Sequence, residues 1–170
     1  MNGCREAATG LARALESLRE GERSPLEELH LSNTWTTEGQ LRTILSRCPN
    51  LKILNLGICP GSGEGLARAL ADLPETLLEE LNLHYTMTTT ADQVRTIVSH
   101  CSHLKTLNLD GCPGSADGLV EALRDLPEEH RPPLEKLFLY RTDVTEEHID
   151  ALRELLQNCK IFYFIRTLPL

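Results

Sequence analysis

The pattern Leu-x-x-Leu-x-Leu recurs five times in this chain, as LEELHL at residue 26, LKILNL at 51, LEELNL at 78, LKTLNL at 104 and LEKLFL at 134. Successive starts lie 25, 27, 26 and 30 residues apart. A period of that size leaves room in each copy for one short strand and one helix. Such a unit cannot bury its own apolar side, so the copies must stack on one another. The expected fold class is α/β, a solenoid whose strands share one parallel sheet.

The copies alternate between two kinds. The LEEL and LEKL copies run on to Thr34, Thr86 and Thr142, whereas the LKIL and LKTL copies run on to Cys59 and Cys112. The repeating unit is therefore a pair. A helical spacing of apolar residues follows each strand. In the Thr kind it predicts inward faces of Leu41, Ile44, Leu45, Cys48, then Val94, Ile97, Val98, Cys101, then Leu152, Leu155, Leu156, Cys159. In the Cys kind it predicts Leu66, Ala69, Leu70, Leu73 and Leu119, Ala122, Leu123, Leu126, with Leu11, Ala14, Leu15, Leu18 in the same register. Ser62, Ser115 and Thr145, each followed within two residues by an acid, are the expected helix N-caps.

Cys4 precedes Gly10 as Cys59 precedes Gly65 and Cys112 precedes Gly118, so residues 1–25 read as a Cys-kind half repeat whose strand is mostly missing. The expectation is a single repeat domain over 1–170, a fragment of a larger protein or one with an odd natural start. At the other end CKIFYFIRTLPL departs from the leucine pattern. A capping strand is expected at about 160–166 on the sheet edge, with Phe162, Tyr163 and Phe164 covering the last open face or meeting something outside the chain.

A net charge of −8 argues against nucleic acid or an anionic membrane as partner. No apolar run is long enough to span a bilayer, and the N-terminus does not read as a secretory signal. The expected location is cytoplasmic, which also suits six cysteines lacking any C-x-x-C pair. These sort into columns, Cys4, Cys59 and Cys112 after strands and Cys48, Cys101 and Cys159 at helix ends, as structural free thiols. Stretch PGSGEG at 60–65 lacks the Gly-Lys-Ser/Thr ending of a phosphate loop and reads as a repeat turn. The six histidines show no ligand spacing, and His100 and His103 flank a Cys101 that should point inward. No metal, cofactor or catalytic constellation is expected, and the chain does not read as an enzyme.

The informative positions alternate with the leucines and face away from the core. They are Glu28, His30, Ser32, Ile53, Asn55, Glu80, Asn82, His84, Thr106, Asn108, Asp110, Lys136, Phe138 and Tyr140. Loop tips add Trp35, Tyr85 and Arg141, residue types common at interface anchors. Trp35 is either such an anchor or a lid folded over its own turn. The surface changes from acidic and amide groups in the early repeats to Lys136, Phe138, Tyr140 and Arg141 in the last.

With CPNLKILNLGIC and LPETLLEELNL as the carrying stretches, the chain resembles leucine-rich-repeat proteins of the ribonuclease-inhibitor type, most of all the C-terminal repeats of NOD-like receptors. The resemblance implies a horseshoe with a parallel concave sheet and convex helices, and a ligand-sensing, autoinhibitory role in innate immunity through a protein partner on the concave face. CPNLKILNLGIC also resembles the repeats of F-box adaptors, which select substrates for ubiquitin ligases. A stand-alone enzyme inhibitor is a further alternative.

Overall fold

The computed structural model describes residues 3–73, 75–86 and 90–165. Helix α1 (Gly3–Glu16) is followed by β1 (Glu28–His30), α2 (Glu38–Arg47), β2 (Ile53–Asn55), α3 (Ser62–Ala71), β3 (Glu80–Asn82) and α4 (Ala91–His100). Then come β4 (Thr106–Asn108), α5 (Ser115–Asp125), a 3-10 turn at Glu128–His130, β5 (Lys136–Leu139), α6 (Glu146–Leu155) and β6 (Lys160–Tyr163). The six strands form one sheet in chain order, every neighbouring pair parallel. This is an α/β architecture of alternating helices and parallel strands, compatible with a repeat solenoid.

The leucine pattern explains the register. Leu29, Leu54, Leu81, Leu107, Leu137 and Ile161 pair in one row across the sheet. From Leu54 to Leu137 that row is buried, as are Leu31, Leu56, Leu83, Leu109 and Leu139 two residues on. Each buried leucine stabilises the fold by about 1.5–3 kcal/mol relative to exposure. A slip of one residue would turn the whole row to solvent, so the pairing is tightly specified.

Outside the sheet, the column of Thr and Cys side chains ties the repeats in pairs. The Cys59 thiol donates to Leu31 O at 2.9 Å and accepts from Thr34 N at 3.3 Å, and the Cys112 thiol donates to Leu83 O at 3.1 Å. The backbone of Cys4 lies inside α1, and its side chain, expected in the same column, is outside what the structure describes. A second alternation runs along the strand entrances, where Lys52 pairs with Glu27 at 3.1 Å and Lys105 with Glu79 at 2.6 Å. Glu79 is thereby held below the usual carboxylate range and Lys105 above the usual lysine range, each chiefly by the hydrogen bond to the other.

Helix starts divide by kind. Thr37, Thr90 and Thr145 are N-caps of full capping boxes with Gln40, Gln93 and His148 three residues on. Ser62 and Ser115 are not caps. Gly61 and Gly114, at φ 78° and 73°, stand at the N-cap, and the buried serine hydroxyls donate instead to Leu56 O and Cys112 O. The left-handed turn needs glycine and places the next residue inside the helix, where its side chain turns to the loop.

Two predicted helix faces shift. In α6 the buried residues are Ile149, Ala151 and Leu152, with Leu156 at the C-cap where Cys48 and Cys101 cap their helices. Cys159 lies three residues later, half-buried in the turn before β6, so it leaves the helix-end column. The capping threonine set this register, and the run of leucines at 152, 155 and 156 concealed it. In α1, Ala8, Ala12 and Leu15 are buried while Ala14 is exposed, because among the described residues a helix covers α1 only on the α2 side.

Candidate functional site

The sheet face opposite the helices carries the alternate residues of all six strands in columns. One column runs Glu28, Ile53, Glu80, Thr106, Lys136 and Lys160, and the next runs His30, Asn55, Asn82, Asn108, Phe138 and Phe162. A third, just past the strands, holds Ser32, Gly57, His84, Asp110, Tyr140 and Phe164. The structure thus brings together the strand residues expected there. A shallow depression of about 190 Å³ follows the middle column, lined by His30, Asn55, Asn82, Asn108 and Phe138.

These side chains are not equally available to a partner. Asn55, Asn82 and Asn108 each accept, through Oδ1, the backbone N–H two residues on, at 3.0, 3.0 and 2.9 Å. The asparagines are first of all turn builders. Phe138 interrupts that column and offers no acceptor. Asp110 of the preceding repeat supplies one, taking the Tyr140 N–H at 2.7 Å. Burial raises the Asp110 carboxyl above its ordinary range, partly offset by the Tyr140 hydrogen bond and by nearby His84.

Beyond the third column every repeat visits the left-handed region at the same step, at Asn33, Ile58, Tyr85, Gly111 and Arg141, with φ between 54° and 67°. At the first four the ladder accounts for it. Asn33, Ile58, Tyr85 and Gly111 donate their N–H groups to the third-column carbonyl of the next repeat at 2.7 to 2.8 Å, which turns the chain before each helix. An isoleucine in this region is strained by of order 1–3 kcal/mol and persists only because its neighbours impose it.

Tyr85 and Arg141 meet across the intervening repeat. Arg141 Nη1 donates to Tyr85 Oη at 2.7 Å, and its guanidinium lies 6.0 Å from the ring centroid. Gly111 makes the passage possible, since a Cβ there would stand 2.6 Å from the Tyr85 ring. In the same way the His84 ring lies over Gly57, and His84 Nδ1 bonds Asn82 Oδ1 at 2.8 Å.

Trp35 lies elsewhere. It occupies the turn between β1 and α2, 56% exposed, and borders a groove of about 280 Å³ with Thr37, Pro60, Gly61, Glu64 and Arg68.

Lys160, Phe162 and Phe164 join the face from β6. The alternation in KIFYF was the available signal: Ile161 and Tyr163 pair with Leu137 and Leu139 and pack on the core, which sends Phe162 to the other side. Among the described residues no group of three His, Cys, Asp or Glu side chains could hold a metal ion, and no helix is long and apolar enough to cross a membrane. No family model matches the chain, and no curated protein matches it.

Proposed function

We propose that the chain is a protein-recognition module without catalysis, a leucine-rich-repeat horseshoe of the ribonuclease-inhibitor type that binds a macromolecular partner on the concave side of its sheet. In this reading it is the ligand-sensing and autoinhibitory repeat region of a NOD-like innate immune receptor. One observation supports recognition above all: six strands present their non-core residues in straight columns on a face that no described helix covers. Rigid strands hold side chains with little entropy left to lose on binding, which suits an interface. The receptor class rests on the resemblance of the repeat sequences.

Capture from cell lysate tests recognition when three proteins are compared. A partner retained by the unaltered chain and by an Arg42→Glu/Arg68→Glu helix-side variant, but lost by Glu28→Lys/Glu80→Lys, supports the sheet face. Equal capture by all three, or loss only with the helix-side variant, overturns it. The parent transcript upstream of Met1 tests the class. A nucleotide-binding domain supports the receptor, and an F-box replaces it with a ubiquitin-ligase adaptor.

A further inference from the structure

The last two strands carry the same three kinds of side chain at the same three levels. Lys136, Phe138 and Tyr140 stand beside Lys160, Phe162 and Phe164. The Phe138 and Phe162 rings stack with centroids 4.7 Å apart and planes 8° from parallel. Tyr140 and Phe164 are 43% and 66% exposed, and Phe164 borders a hollow of about 730 Å³ with Arg141 and Val144.

Three features mark this block as built for something other than folding. The core is closed by Ile161 and Tyr163, so Phe162 and Phe164 have no capping duty. In their own column, where Glu28, Ile53, Glu80 and Thr106 stand on the earlier strands, two lysines are in register at this end of the sheet. Like charges facing each other on neighbouring strands are destabilising. Neither Lys136 nor Lys160 has an ion-pair partner among the described residues. In a chain of net charge −8, the pair forms a local cationic spot beside the half-buried Phe138–Phe162 stack.

The geometry points to an acidic peptide segment of a protein partner as the ligand of this block, bound with a carboxylate at the Lys136–Lys160 pair and an aliphatic or aromatic side chain on the Phe138–Phe162 stack. From Lys to Phe is a two-residue strand step of roughly 6.6 Å. An extended ligand has the same spacing between residues i and i+2. The segment therefore carries Asp or Glu two positions from an apolar residue. Tyr140 and Phe164 extend the apolar contact, and Arg141 is held back by its bond to Tyr85. This inference rests on the recognition reading above and narrows it to one end of the sheet.

The probes are two synthetic linear peptides, one alternating Glu and Phe and the other alternating Lys and Phe, titrated against the whole chain by fluorescence anisotropy. The Glu peptide is expected to bind, and Lys136→Glu/Lys160→Glu to weaken it roughly tenfold or more, the size of an anchor contact. The Lys peptide should bind that double variant better than it binds the unaltered chain. Phe162→Ser should weaken both peptides, with circular dichroism reporting that the fold is kept. Equal affinity of the Glu peptide for the unaltered chain and the double variant overturns the proposal. Peptide binding abolished instead by changing His30 and Asn55 also overturns it, while leaving recognition by the sheet face standing. Absence of binding by either peptide overturns the peptide assignment, and the three-way capture comparison separately decides the broader reading. Self-association that the lysine reversal abolishes would put a second copy of the chain on the block and likewise overturn the assignment.

Discussion

The Asp110 carboxylate accepts the backbone N–H of Tyr140 at 2.7 Å, a task that asparagine performs within its own repeat at three other turns. With Phe138 standing in the asparagine column, the sheet has an aromatic surface there and the neighbouring repeat supplies the acceptor. Asp110→Ala removes that acceptor and should cost about 1 kcal/mol in chemical denaturation. Asp110→Asn keeps an amide oxygen for it. Because burial raises the folded-state value of the carboxyl, ionisation opposes folding as pH rises through that value, and protonation relieves the opposition below the unfolded value. Asp110→Asn should therefore melt at or above the unaltered chain at neutral pH, with the difference shrinking through the acidic range just above the ordinary aspartate value.

Glycine positions should separate cleanly. At Gly118 a Cβ would come 2.3 Å from Ala91 O, where α5 passes α4, while at Gly39 in α2 nothing lies within 4 Å. Gly118→Ala must push two helices apart and should lose about 1–3 kcal/mol. Gly39→Ala should gain up to about 1 kcal/mol, since alanine restricts the unfolded chain and suits a helix. Thermal melts of the two variants check the contrast.

Thiol reactivity should follow burial. The Cys101 thiol is pushed up to about 12 by burial, partly offset by the Thr76 hydroxyl, and Cys159 to about 11 by burial. Iodoacetamide at neutral pH should modify Cys159 slowly and Cys59, Cys101 and Cys112 only after unfolding, as read by mass spectrometry. Cys59→Ala leaves Thr34 N without its buried acceptor, while Leu31 O keeps the Thr34 hydroxyl, and should cost about 1–3 kcal/mol.

His148 closes the third capping box, where the other two use glutamine. The Thr145 N–H points at Nδ1, which assigns the ring proton to Nε2, and Nε2 donates to Asp117 at 2.8 Å. His148→Gln should preserve the cap and stay within about 0.5 kcal/mol of the unaltered chain, whereas His148→Ala should lose about 1 kcal/mol. Denaturant titration distinguishes the two.

Leucine spacing made the strand order and inward rows legible because burial and period act together at Leu54, Leu81 and Leu107. The columns on the opposite face followed from the same alternation. Local chemistry was harder to read. Nothing in the residues Ile58 or Tyr85 announces a left-handed backbone, since the ladder to the next repeat imposes it against their own preference. Ser62 had the composition of a cap, but Gly61 took the position. Thr37 with Gln40 and Thr90 with Gln93 are capping boxes legible in the sequence from their Thr-x-x-Gln spacing. At the C-terminus, aromatic residues stand at inward and outward positions alike, so composition alone did not separate Tyr163, packed against the core, from Phe162 on the opposite face.

The pairing of Thr34 with Cys59 and Thr86 with Cys112, alongside Glu27 with Lys52 and Glu79 with Lys105, restricts how such a chain can change length. Removing one repeat would bring threonine against threonine in the buried column and glutamate against glutamate at the strand entrance. Removing two restores both matches. A change of length by two repeats should therefore be tolerated where a change by one is not.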